Sequence, residues 1–136
     1  ELKVSVIEND LDKKIHFLGY RTDIEAILAK SDLVFHSSIV PDSLPTILFE
    51  AIKMRVPAGA TELAGAVEIL DNGNCGLLVP LNNAKKVADL INDYYNDEKL
   101  KTLNIEKAIE YTNQYFSPPQ FNKNILDILK TTMISK

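Results

Sequence analysis

The sequence predicts an α/β domain, an open parallel sheet flanked by helices. Short apolar runs suited to strands recur at Ile15–Leu18, Leu33–His36, Pro57–Thr61 and Leu77–Val79. Helical start signals or helical periodicity separate them, and alternation of this kind implies parallel pairing through right-handed crossovers. From Ala84 onward the patterns are helical only.

Residues 1–12, ELKVSVIENDLD, read as a short helix, although Val4, Val6 and Ile7 also permit a strand. Ile15–Leu18 is the first strand, ended by Gly19. Thr22 and Glu25 form a capping-box signature for a helix through about Lys30. Leu33–His36 is the second strand and runs into Ser37-Ser38. The central helix is expected over Leu44–Arg55, with Pro45 in its first turn and Ser43 or Thr46 as its cap. Ile47, Leu48, Phe49, Ala51, Ile52 and Met54 leave almost no polar face, so this helix is expected to be buried nearly all round. A third strand should lie near Pro57–Thr61, and Gly65 opens a short helix through Leu70. Asn72-Gly73 marks a turn before the fourth strand, Leu77–Val79. Helices follow over Ala84–Asn96, with Val87, Leu90, Ile91 and Tyr94 on one face, and over Glu98–Tyr115. Ser117-Pro118-Pro119 is expected to break the chain before a last amphipathic helix, Phe121–Met133.

The chain has 136 residues, a formal net charge of −4 and 46% hydrophobic residues, enough for one domain with a core. The acidic balance argues against non-specific nucleic-acid binding, which needs clustered Lys and Arg. Cys75 is the only cysteine, so no disulfide framework and no cysteine metal site is expected. His16 and His36 have no partner at ligand spacing; both read as structural, and no metal is predicted. No apolar run is long enough to span a bilayer. The first residue is Glu and no signal peptide is visible, so the chain reads as a piece of a longer one.

The chemistry concentrates in PDSLPTILFEAIKMR, Pro41 to Arg55. Glu50 falls inside the expected apolar wall, where a carboxylate is costly unless paired or hydrogen-bonded. Asp42 lies just ahead of the helix, with seven residues between it and Glu50. Free N–H groups at the helix start make a place for an anion such as phosphate. Two hydroxyl-binding acids flanking such a helix end would suit a nucleotide sugar. The plainer reading pairs Glu50 with a buried Lys or Arg and leaves Asp42 as a turn residue.

PDSLPTILFEAIKM followed by ATELAGAVEILDNGNCGLLVP resembles the C-terminal domain of a GT-B-fold retaining glycosyltransferase, of the group 1 or family 4 type. The pattern there is an acid, seven residues, Glu, then a Gly-Gly-x-x-Glu turn and an Asn-Gly-x-x-Gly strand; the match covers roughly Lys14 to Ile91. The resemblance implies a partial Rossmann-like domain over residues 1–136, with closing helices from about residue 84. It implies transfer of a sugar, with retention, from a nucleoside-diphosphate sugar to a saccharide or lipid-linked saccharide acceptor in bacterial capsule, exopolysaccharide or lipopolysaccharide synthesis. It gives Asp42 and Glu50 the catalytic positions, Asp42 on the sugar hydroxyls and Glu50 on the ribose. Backbone groups of Ser43, Leu44, Pro45 and Thr46 would hold phosphate or sugar oxygens. Gly19, Tyr20, Arg21 and Ser37 would lie along the nucleotide. Glu68 would be a structural acid. No cofactor is implied beyond the sugar donor itself, and the location implied is cytoplasmic, at the inner face of the membrane.

The departures are specific. Asp42 stands where Glu is more usual, His36 replaces a Pro, Ala64 replaces a Gly, and Arg55 takes the place of a helix-ending glycine. Pro57-Ala58-Gly59-Ala60 makes a poor strand, so the central strand is expected to be short or weak. Nothing before Lys14 resembles the two βα units that would supply an Arg and a Lys to the diphosphate, and no acceptor domain is visible. The chain alone is therefore expected to be inactive and to self-associate. Two alternatives stand beside this reading. One is a GT-B nucleotide-sugar 2-epimerase; the other is a non-enzymatic α/β interaction module.

Overall fold

A computed structural model describes the backbone of residues 1–134 and the side-chain environments of residues 1–131; Ser135 and Lys136 lie outside the described residues. Helix α1 is Leu2–Glu8 and α2 is Ile24–Leu28. Strand β1, Val34–His36, leads to α3, Thr46–Lys53; β2, Ala58–Thr61, leads to α4, Ala64–Ile69. A single 3-10 turn over Asp71–Gly73 precedes β3, Leu77–Val79. The chain then closes with α5, Ala84–Asn96, α6, Glu98–Tyr115, and α7, Pro118–Ile134.

The sheet is three-stranded, parallel and ordered β1-β2-β3, with Phe35 opposite Gly59 and Gly59 opposite Leu77. That register explains β2. The AGAT strand is central and buried at all four residues, not weak as the sequence suggested. A Cβ on Gly59 would stand 3.0 Å from Phe35 Cδ2 and 3.1 Å from Leu77 Cβ, so the glycine makes room for the two larger side chains beside it. Poor intrinsic strand preference is overridden by what the neighbours need.

Helix α3 packs on β1, β2 and α6, while α5 packs on β3 and α6. Leu48, Ile69, Leu70 and Val79 are the large side chains wholly enclosed. Phe49 meets Phe116 edge-on at 5.1 Å between ring centroids, which ties α3 to the end of α6. Burying a Leu or Ile in this way contributes about 1.5–3 kcal/mol per side chain.

Five expectations are corrected. Ile15–Leu18 is not a strand; it belongs to no ladder, and Ile15, Phe17 and Leu18 are 42–55% exposed. A strand needs a partner, and the only sheet in the described residues already ends at β1. The Thr22–Glu25 capping box does not form: α2 starts after Asp23, which no side-chain cap bond engages, and Asp23 instead takes two bonds from Arg21 at 2.8 and 2.6 Å. Helix α3 is shorter than expected and buried on one side only, through Leu48, Ala51 and Ile52. Neither Ser43 nor Thr46 caps it, because Pro45 occupies the cap position in extended geometry. Pro118 and Pro119 begin α7 instead of preceding it, as prolines can where first-turn N–H groups have no helical partner.

Candidate functional site

The carboxyl ends of the three parallel strands carry His36, Thr61 and Val79, and the loops leaving them are bonded to one another. Thr61, 8% exposed, donates its hydroxyl to the Ser38 carbonyl at 2.6 Å. The Glu62 N–H donates to the Val79 carbonyl at 2.9 Å. Ser38 Oγ bonds the Val40 carbonyl at 2.7 Å, which turns the chain out of β1. The loop then reaches Asp42, whose carbonyl accepts the Gly65 N–H at 3.2 Å. A Cβ on Gly65 would fall 2.0 Å from the Ser43 carbonyl oxygen and 2.5 Å from that of Asp42. Only glycine lets the start of α4 lie this close to the Asp42–Ser43 backbone.

The Asp42 side chain is 47% exposed and stands 4.0 Å from His36 Nε2. Ser43, Leu44 and Thr46 are exposed at the entrance to α3, and Pro45 is buried beneath them. Glu50 is exposed, in contrast to the buried carboxylate the sequence suggested. Thr46, Glu50 and Lys53, spaced four and three apart, form the outward stripe of α3. Among the described residues no hydrogen bond or ion pair engages the Glu50 carboxylate, so the pairing with a buried Lys or Arg is not found there. Ser37 is exposed at the end of β1.

Gly19, Tyr20 and Arg21 are placed differently. No strand precedes them among the described residues, so the turn at Gly19 is not the end of a sheet strand. Gly19 has φ +65°, Tyr20 is 93% exposed, and Arg21 holds the Asp23 carboxyl below the usual carboxylate range. Among the described residues no hydrogen bond joins them to the Asp42 loop or to Glu50. Glu68 is exposed and lines a groove of about 540 Å³ with Leu44, Phe49, Phe116 and Phe121. His36, read from the sequence as structural, faces Asp42. Its place at the end of an apolar run that leads into a loop was the available signal.

The family model for glycosyl transferases group 1 matches residues 1–111. The chain belongs to that family. Among curated relatives, N-acetyl-alpha-D-glucosaminyl L-malate synthase of Bacillus anthracis is 29% identical over 106 residues, covering 78% of this chain and 28% of that protein. WcaL of Salmonella typhimurium, named for colanic acid biosynthesis, is 24% identical over 139 residues, covering 96% of this chain and 34% of that protein. Among solved structures, HepE of Anabaena in complex with UDP superimposes with a TM-score of 0.83 at 27% identity, over 96% of this chain and 36% of that one. A UDP-glucose complex of HepE gives 0.82. The chain thus spans about a third of the length of these relatives, and its fold is that of the C-terminal domain of a GT-B group 1 glycosyl transferase. Of the two alternatives, neither the epimerase nor the interaction module is favoured by these matches.

Proposed function

We propose that this chain forms the nucleotide-sugar-binding part of a retaining glycosyl transferase of bacterial surface-polysaccharide synthesis. The observation that carries the reading is the Asp42–Glu50 pair: both acids are exposed, one on the loop entering α3 and one on the outward stripe of that helix. An unpaired carboxylate on a helix whose start no side chain caps is poor structural material and good hydroxyl-binding material. In this reading Asp42 takes sugar hydroxyls and Glu50 takes the ribose. The N–H groups entering α3 meet phosphate or sugar oxygens. HepE, bound to UDP and to UDP-glucose, supports a nucleotide sugar as the ligand class. The saccharide acceptor would be held by another part of the whole protein. The chemistry assigned to this part is electrostatic stabilisation of the departing diphosphate.

Titration of the 136-residue chain with UDP-glucose, followed by NMR, tests the reading. Shifts should cluster on residues 37–50. Glu50→Ala should weaken binding by about 1.5–3 kcal/mol, the scale of a hydrogen bond to a charged group. Unchanged affinity in a folded Glu50→Ala chain would return Glu50 to the solvated surface.

A further inference from the structure

His36 closes β1, and its backbone is fixed by pairing with Ala60. Its side chain is 25% exposed overall, yet Nε2 is buried with no hydrogen-bond partner among the described residues. A buried ring nitrogen without a partner is costly, because it has left water and gained nothing. The nearest carboxylate oxygen is Asp42 Oδ2 at 4.0 Å, beyond the roughly 2.7–3.2 Å of an N–H···O bond. Asp42 has little freedom except in its side chain. The Gly65 N–H donates to its carbonyl at 3.2 Å, and the loop lies against α4 so closely that a Cβ on Gly65 would not fit. A contact between His36 and Asp42 asks the Asp42 carboxylate to close that gap by side-chain rotation.

We propose that His36 is a positioning residue for Asp42. With a sugar present, Nε2–H donates to Oδ2, and the other carboxylate oxygen is turned to the sugar hydroxyls. The imidazole supplies that proton in its Nε2–H tautomer or as imidazolium. The inference rests on the reading that Asp42 holds the sugar. It adds a fixed proton donor behind an acid whose arm is short, so the direction of the carboxylate is set by the strand end.

The test is a double-mutant cycle on the 136-residue chain, with UDP-glucose and UDP as probes and NMR spectra to verify folding. His36→Leu should weaken UDP-glucose about tenfold while changing UDP less than about twofold. His36→Gln, which keeps an N–H donor near the Nε2 position, should recover most of the loss; it also serves if the leucine variant does not fold. In an Asp42→Ala background, His36→Leu should have no further effect. Equal weakening of UDP and UDP-glucose, failure of Gln to rescue, or multiplying losses at the two positions would overturn the inference. If Asp42→Ala leaves UDP-glucose binding intact, or the unmutated chain binds no UDP-glucose, the proposed function fails first and the inference falls with it.

Discussion

At the scale of single residues, the site depends on one glycine as much as on its acids. Gly65 has no room for a side chain, since even a Cβ would overlap the Ser43 carbonyl. Gly65→Ala should therefore displace the Asp42 loop or α4 and cost about 1–3 kcal/mol, the usual range for overpacking. Chemical denaturation would measure the loss, and UDP-glucose binding should fall with it. Gly65→Ala with unchanged stability would mean the loop is slack. Cys75 makes a different prediction. Burial, and then the charge of Asp71, push its thiol up to about 11 from an ordinary 9.0. A group whose folded value is raised contributes fully below its unfolded value and loses that contribution as pH rises through the folded one. Burial likewise raises Tyr94. Stability should hold to about pH 9 and then fall towards pH 11, and Cys75→Ala should flatten part of that fall. The drop can be followed by denaturant titrations at successive pH values.

At the scale of elements, the end of α3 carries a defect that can be repaired. Arg55 sits at φ +59°, in the left-handed region, while the Val56 N–H closes onto the Ala51 carbonyl at 2.9 Å. That closure needs a left-handed residue, and glycine adopts it without the Cβ penalty. Arg55→Gly should stabilise the chain by about 1 kcal/mol in thermal or denaturant unfolding. The opposite sign is expected at the starts of the long helices. Asn83 and Asp97 cap α5 and α6 through bonds to Lys86 N and Leu100 N, at 3.0 and 2.9 Å. Replacing either by Ala should cost about 1 kcal/mol. These helices were the most legible part of the sequence: Val87, Leu90, Ile91 and Tyr94 share one side of α5, and periodicity over three turns or more is hard to mistake. Strand β3 was legible from Leu77–Val79 after the Asn72-Gly73 turn. What failed was local pattern that depended on a distant partner. Ile15–Leu18 has the composition of a strand and no strand to pair with. Ala58–Thr61 lacks that composition and is enclosed by neighbours on both sides. The exposure of Glu50 was not legible, because the burial of a helix face is decided by what packs on it.

At the scale of the whole molecule, both outer strands of the sheet, β1 and β3, have an edge that no strand pairs among the described residues. In the described residues β1 pairs only with β2, so its outer edge has unspent hydrogen-bonding groups. Ile15, Phe17, Leu18, Ile39 and Val40 are exposed, as are Phe121, Leu126 and Ile128 of α7. The chain should therefore self-associate at micromolar concentration; a monomer mass by light scattering would refute this. It should also turn over no UDP-glucose with any saccharide acceptor, since transfer needs two substrates held in register. The distribution of burial has a further consequence for how the chain comes apart. Among the described residues, every wholly or nearly wholly buried side chain lies between Leu28 and Ala108. Ahead of that stretch, Lys3, Lys13, Lys14 and Arg21 are exposed on short or irregular segments; beyond it, Lys123 and Lys130 lie on an exposed helix. Brief digestion with trypsin should pare the chain inward from both ends. It should leave a resistant body that begins after Arg21 and ends at Lys123, with the Asp42 loop, Gly65 and Glu50 still joined inside it.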